Sequence, residues 1–517
     1  MKTAFAVLFA AGLAFTGIAT EPARRVVVLV WDGMRPDFIS TEHTPTLHQL
    51  ARDGVMFANH HAVYCTATEV NGTALATGAY PANSGVIANR EYRPALETNR
   101  PVNTQSLAVI QKGDGLTGGR YLLRPTVAET LRRAGKTTAI AGTKEVALLH
   151  DRREHSDHDC AGFMLFEGRS LPTNAVEPIR RRLGAFPPSA STTSGGPNSA
   201  RDEWTTQALL SHIWSNGVPD FTLLWLSEPD FSQHATGPGS PKALAALASS
   251  DQNLAAVLAE LEKRELRGQT DVFVVSDHGF STVEQSTDVC KALKNAGFPA
   301  VREFTSPPKN GDILVVSQGA SVLFYIVGQD RKTAGRLVEF LQQQEFAGVV
   351  FSRITFPGAF RLKDANVHSA HAPDVLLSLR WTSNSSAIGV PGTVWADGAR
   401  NPGQGLHASL SRFDLHNTLV GAGPDLKKGF VNTLASGNTD LAPTILWLLG
   451  VKPEVKMDGR VLGEALTIKA PAAGKPKTKI IEASTRVGDW RWRQYLQTTR
   501  VGDTVYLDEG NGSQLPR

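Results

Sequence analysis

Continuous apolar runs, separated by amphipathic stretches of helical period, constrain this chain more than any other feature of its sequence. Val26-Val27-Val28-Leu29-Val30-Trp31 shows no alternation of polar and apolar residues, so a strand built from it must be covered on both faces. Comparable runs occur at 137–141, 221–226, 271–276, 320–327 and 374–379. Helix-like segments lie at 46–53, 127–133, 242–264, 332–344 and 441–449. Within 242–264, Leu244, Leu247, Leu254, Leu258 and Leu261 recur at helical spacing and make one apolar face. Strands alternating with helices predict an α/β protein, a three-layer α/β/α sandwich with a mostly parallel central sheet and cap insertions.

The bulk numbers exclude more than they assign. In 517 residues, 53 basic side chains nearly balance 49 acidic ones, leaving a formal charge of +4. That sets up no field for a nucleic-acid polymer or an anionic membrane. Three cysteines (Cys65, Cys160 and Cys290) form no Cys-x-x-Cys pair, which rules out a disulfide-stapled scaffold. Lys2 precedes an apolar run that ends in small residues at Ala19, with Glu21-Pro22 following. This pattern predicts a signal peptide over 1–19, a secreted or periplasmic protein, and no stable membrane span after cleavage. The expected organisation is a catalytic body over 24–468 with an insertion at about 151–200, whose 186–199 stretch is rich in Pro, Ser, Thr and Gly. A Lys/Pro/Ala linker at 469–479 follows, then a small β extension over 480–517 around Trp490, Trp492 and Tyr506.

The chemistry gathers where the apolar runs end. Asp32 follows the first run and precedes Gly33, and Asp277-His278-Gly279 repeats the arrangement after 272–275. Asp230 and His234 stand four apart after 221–226, on one face if that segment is helical. His407 closes the flexible stretch Gly403-Gln404-Gly405-Leu406. The carboxyl ends of strands are where open α/β sheets bind ligands. Three Asp, three His and the hydroxyl of Thr68 are the donor set that two divalent metals sharing a nucleophile require. Lys144, at the end of the 137–141 run, is a cation for phosphate or a substrate carboxylate. The charged stretch at 150–160 reads as a solvated face rather than a further metal site, and His368, His371 and His416 as structural.

Thr68-Glu69-Val70-Asn71-Gly72-Thr73-Ala74-Leu75-Ala76-Thr77-Gly78, followed by Tyr80-Pro81, Ser84-Gly85 and Asn89, resembles the alkaline phosphatase superfamily, in its nucleotide pyrophosphatase/phosphodiesterase and phosphonoacetate hydrolase branches. The resemblance runs from about 24 to 466 and takes in Glu228-Pro229-Asp230, Ser276-Asp277-His278-Gly279, Gly423-Pro424-Asp425 and Leu441-Ala442-Pro443-Thr444. It implies two divalent ions, zinc in most members. One would be held by Asp230, His234 and His407, the other by Asp32, Asp277, His278 and the oxygen of Thr68. It implies that Thr68 is the nucleophile of a covalent phospho-threonine intermediate, with Asn89 on a non-bridging phosphate oxygen. Asn71 is either a substrate helper or a capping and packing residue.

Three departures bear on the substrate. Sulfatases of the superfamily carry their modified residue in a Cys-x-Pro-x-Arg context; Cys65 stands three residues too early and no such Arg follows. Related monoesterases resemble this chain but carry Lys-x-Arg where it has Lys144-Glu145-Val146, which favours the less charged diesters. The aromatic residue that follows the nucleophile in nucleotide-binding members is Glu69 here, an acid that can pair with Lys144 or a substrate amine but offers no base a stacking surface. The expected activity is hydrolysis of phosphodiester or pyrophosphate bonds in a small-molecule phosphate ester. A phosphomonoesterase, a phosphonate hydrolase and a phospho-transferase remain alternatives, as does a non-catalytic binding protein, against which the complete ligand set argues.

Overall fold

The computed structural model describes residues 24–152, 162–189, 197–398 and 400–516. The expected signal segment 1–19 and parts of 151–200 lie outside these residues. A nine-stranded sheet forms the centre. Its strands in chain order are β1 (Arg25–Trp31), β2 (Val55–Phe57), β3 (Thr138–Gly142), β4 (Gly162–Phe166), β5 (Arg169–Leu171), β6 (Phe221–Leu226), β7 (Thr270–Val275), β8 (Leu419–Ala422) and β9 (Phe430–Asn432). The spatial order is β9-β2-β8-β7-β1-β6-β3-β4-β5. The run β7-β1-β6-β3-β4 is parallel, and β8 turns antiparallel beside β7.

Coverage on both faces follows from the apolar runs. Val26, Val28 and Val30 belong to one core cluster, while Val27, Leu29 and Trp31 belong to another on the opposite face. All six are fully buried. Burying apolar surface on both sides of each strand is the main force that holds the layers together. Three helices matter for the site: α1 (Thr68–Thr77), α2 (Asp230–Thr236) and α3 (Pro241–Lys263). Of these α3 carries the expected apolar face, with Leu247, Leu254 and Leu261 buried against the sheet.

Two of the apolar runs do not enter the central sheet. Ser321–Ile326 and Val375–Leu379 pair antiparallel in a separate six-stranded sheet. The reason is connectivity: Ile313–Ser317 and Ser321–Ile326 are joined by three residues, and so short a link permits only antiparallel pairing, whereas parallel neighbours need a long crossover. The last strands, β10 (Pro476–Val487), β11 (Trp490–Val501) and β12 (Thr504–Pro516), form a three-stranded antiparallel sheet. It packs into the body rather than beside it: Leu496 and Leu507 share a core with Val349 and Phe351, and the hydroxyl of Tyr506 donates to Asp440.

Candidate active site

The register of the parallel strands brings four chemical groups to one edge. Val30 of β1 lies between Val275 of β7 and Trp225 of β6, and Gly142 of β3 lies beside the same Trp225. Asp277, Asp32, Asp230 and Lys144 each follow the end of one of these strands within a few residues, and so converge at the carboxyl edge of the sheet. Gly33, at φ +75°, turns the chain immediately after Asp32, and its N–H donates to Asp277 Oδ1 at 3.0 Å. The N–H of Asp230 donates to the carbonyl of Asp32 at 3.0 Å, which ties the start of α2 to the end of β1.

Thr68 opens α1, a helix buried along its whole length. Gly72 permits its approach: a Cβ there would stand 2.6 Å from Val146 Cγ2 and 3.2 Å from the ring of Trp225. The amino end of α1 thus faces the strand ends, where it favours an anion. Thr68 Oγ1 lies 3.4 Å from His278 Nε2.

The imidazoles show what the cluster can hold. Nδ1 of His234 bonds to the carbonyl of Gly405 at 3.1 Å, Nδ1 of His278 to that of Gly279 at 2.9 Å, and Nδ1 of His407 to that of Thr66 at 2.8 Å. A carbonyl only accepts, so Nδ1 carries the proton in each neutral ring and Nε2 keeps its lone pair. Those lone pairs face carboxylate oxygens: His234 Nε2 is 3.3 Å and His407 Nε2 3.6 Å from Asp230 Oδ1, while His278 Nε2 is 3.2 Å from Asp277 Oδ2 and 3.7 Å from Asp32 Oδ1. These same oxygens (Asp32 Oδ1, Asp230 Oδ1 and Asp277 Oδ2) are buried without a hydrogen-bond donor. Lone pairs facing lone pairs in a buried space call for cations between them.

Ligand atoms of Asp230, His234 and His407 lie within 4.8 Å of one another, as do those of Asp32, Asp230 and His278. Asp277 joins the second group through its contact with His278. The two candidate metal-ligand groups thus overlap at Asp230. Electrostatics agree. Burial, reinforced by Asp277, holds the Asp32 carboxyl well above its usual range, and burial pushes Asp277 up to about 7. Burial and the neighbouring rings His278 and His234 hold His407 well below the ordinary histidine range. Burial opposes ionisation of Asp230 as well, but Lys144 and His234 outweigh it and keep Asp230 well below its usual range.

Lys144 Nζ sits 2.8 Å from Asp32 Oδ2 and 3.2 Å from Asp230 Oδ2, supplying one positive charge to this acidic cluster. A cavity of about 460 Å³ opens beside it, lined by Thr68, Glu69, Asn89, Lys144, Asp230, His234 and His407 together with Gln105, Phe231, Arg400 and Gln404. Asn89 Oδ1 accepts from the N–H of Glu69 at 3.1 Å, which leaves its amide NH₂ as the donor available to a ligand.

Asn71 does not line this cavity. Its side chain accepts from the N–H of Val63 at 2.7 Å and donates to the carbonyls of Val63, Cys65 and Ala67, so its hydrogen-bonding capacity is spent holding the loop that leads into α1. Cys65 is buried within this loop, its thiol pushed up to about 12 by burial. The charged stretch lies partly outside the described residues; of its described members, Asp151 pairs with Arg132, and His150 is a buried ring near Trp225. His368, His371 and His416 do not line the cavity.

Sequence reasoning missed two supports. The indole of Trp225 donates to Asp32 Oδ2 at 3.0 Å, and Asn438 donates to the carbonyl of Asp277 and to Asn71 Oδ1. Trp225 sits in an apolar run that reads only as core, and Asn438 precedes an apolar helix as a cap would. Arg400 and Gln404 were within reach, since they share the Gly-rich approach to His407.

A family model described as type I phosphodiesterase / nucleotide pyrophosphatase matches residues 26–387, more than half of the chain. The chain belongs to that family. His407 lies beyond the matched segment. Mouse ectonucleotide pyrophosphatase/phosphodiesterase family member 3 is 24% identical over 276 residues, covering 51% of this chain and 26% of that protein. Human family member 7 is 21% identical over 286 residues, covering 55% of this chain and 54% of that protein. The matches thus span between about a quarter and half of these relatives. Murine ectonucleotide pyrophosphatase/phosphodiesterase 5 superposes with a TM-score of 0.60 at 16% identity, over 86% of this chain and all of that one, which places the fold with the alkaline-phosphatase-like enzymes. An inactive variant of that mouse protein has been solved in complex with AMP.

Proposed function

We propose that this protein is a two-metal hydrolase of phosphodiester or pyrophosphate bonds, acting through a covalent phospho-threonine at Thr68. The observation that carries the reading is the ring of three imidazole Nε2 atoms facing three donorless carboxylate oxygens around a hydroxyl at a helix amino end. Family membership supports it. Asp230, His234 and His407 would hold one ion and Asp32, Asp277 and His278 the other, with zinc the expected metal given the mixed N and O donors. Bound metals would supply charge stabilisation and lower the pKa of a coordinated hydroxyl.

The chain's own residues do the rest. Thr68 Oγ1 attacks phosphorus from the amino end of α1, forming a P–O bond as the alcohol departs, and water later cleaves that bond. The free amide of Asn89 donates to a phosphoryl oxygen. Lys144 stands at the mouth of the carboxylate cluster, where its charge also favours phosphate. Lys144 is followed two residues on by Val146 rather than by a second cation, and Arg400 is the other cation lining the cavity. The missing second cation beside Lys144 matches a singly charged diester better than a dianionic monoester. The amino-terminal pattern at 1–19 supports a secreted or periplasmic location; no helix among the described residues is long and apolar enough to cross a membrane.

The test compares bis-p-nitrophenyl phosphate with p-nitrophenyl phosphate, using zinc-loaded and chelated protein and Thr68→Ala. Diester turnover ahead of monoester, lost on chelation and in the variant, is the expected result. The reverse ranking would indicate a monoesterase, and metal-independent or absent turnover would overturn the proposal.

A further inference from the structure

We infer that Glu69 makes this site selective for phosphodiesters whose alcohol carries an N–H donor, above all a primary ammonium, close to the phosphate. The inference rests on the phosphodiesterase reading and names its substrate class. Glu69 directly follows the nucleophile and forms part of the wall of the catalytic cavity, yet it is only 4% exposed. Its Oε2 is buried and accepts no hydrogen bond.

Lys144 attracts the Glu69 carboxyl through space, but neither neighbouring cation gives it a hydrogen bond. Lys144 Nζ is engaged by Asp32 and Asp230, and the structure records no ion pair between Lys144 and Glu69. Arg400 lines the same cavity and directs a guanidinium N–H to the carbonyl of His234. The peptide N–H of Glu69 donates to Asn89 Oδ1, which ties the backbone at Glu69 to the amide of Asn89 in the same cavity wall.

A buried carboxyl oxygen without a hydrogen-bond partner is costly, and a ligand that brings the missing partner recovers that cost on binding. Sites built around such a group reject analogues that lack the matching N–H, because the buried acceptor then stays unpaired. Thr68 and Glu69 line the same cavity, so a donor carried on the alcohol close to the ester oxygen shares that space with Glu69 while the phosphorus sits at Thr68 Oγ1. A primary ammonium adds charge to the hydrogen bond and fits best. A hydroxyl fits less well, and a quaternary ammonium brings charge but no N–H.

The experiment uses the zinc-loaded full chain and a series of p-nitrophenyl phosphodiesters whose second alcohol is 2-aminoethyl, 2-(trimethylammonio)ethyl, 2-hydroxyethyl or ethyl. The expected result is a kcat/KM for the aminoethyl ester about tenfold or more above that for the ethyl ester. That ratio should collapse toward one in Glu69→Gln and partly return in Glu69→Asp. Calorimetric binding of 2-aminoethyl phosphate against ethyl phosphate to the same proteins gives a second readout that needs no turnover. A preference that is absent in the unmodified protein, or that persists in Glu69→Gln, overturns the inference. Selective binding lost in Glu69→Gln without any diester turnover upholds the inference and overturns the hydrolase reading instead.

Discussion

Trp225 Nε1 donates a 3.0 Å hydrogen bond to Asp32 Oδ2, so the middle of the central sheet orients a carboxylate at its edge. Lys144 binds the same oxygen, which leaves Oδ1 of Asp32 facing His278. Outer partners of this kind set the direction and basicity of a ligand. On the proposed two-metal reading, Trp225→Phe should weaken binding of one zinc ion by about 10- to 100-fold. Competition titration against a chromogenic chelator reads this directly; two unchanged affinities would refute the role given to Asp32.

Asn89→Ala removes the amide proposed to meet phosphate and leaves the proposed metal ligands in place. The expected loss in kcat/KM on a diester is about 10²- to 10³-fold, as for other donors that meet a developing oxyanion. Zinc content by elemental analysis should stay at the level of the unmodified protein. Loss of metal in step with activity would point to a structural effect instead.

Gly72→Ala should destabilise, although Gly→Ala within a helix ordinarily stabilises. The new Cβ would fall 2.6 Å from Val146 Cγ2 and 3.2 Å from the ring of Trp225, both buried, so α1 must shift. Overpacking of this kind costs about 1–3 kcal/mol, more than the gain of about 0.5–1 kcal/mol from helix propensity. A lower denaturation midpoint in urea, with turnover reduced because Thr68 moves with the helix, is the expected outcome.

His60 gives stability a pH dependence of known sign. Burial lowers its pKa to about 3, and its ring nitrogens lie 3.0 Å from Ser436 Oγ and Asn438 Oδ1. Between about pH 3 and the unfolded value near 6.5 the unfolded chain binds a proton here that the folded chain does not. The contribution is present above pH 6.5 and is lost as pH falls toward 3. Buried carboxyls act the other way: burial raises Glu228 to about 8, so its contribution is present at low pH and lost as pH rises through that value. The informative quantity is thus a difference. His60→Gln should lower the slope of unfolding free energy against pH by about 1.4 kcal/mol per pH unit between pH 4 and 6. Equal slopes from urea melts would contradict a neutral buried His60.

Much of the site was legible because its residues are local to strand ends. Asp32, Asp277 and His278 announce themselves by following apolar runs, and Asp230 and His234 by a four-residue spacing that α2 realises. Thr68, the proposed nucleophile, needed no tertiary information either, since it stands in a local motif nine residues before Thr77. The supports were not legible. Trp225 looks like any core residue in a strand, and only the neighbouring strand's register shows that its indole meets Asp32. Asn71 was ambiguous for the same reason, because an amide four residues past the loop that ends at Ala67 can serve that loop or a ligand.

The sequence by itself determined the buried parallel strands, the helices between them and the chemical inventory at their ends, because periodicity and spacing act within a few residues. Only the tertiary structure decided which runs left the central sheet, which proton each imidazole keeps, and that the last strands seal Leu496 and Leu507 into the body. Those outcomes depend on hydrogen bonds and packing between residues hundreds of positions apart, such as His407 with Thr66, and no local pattern encodes them.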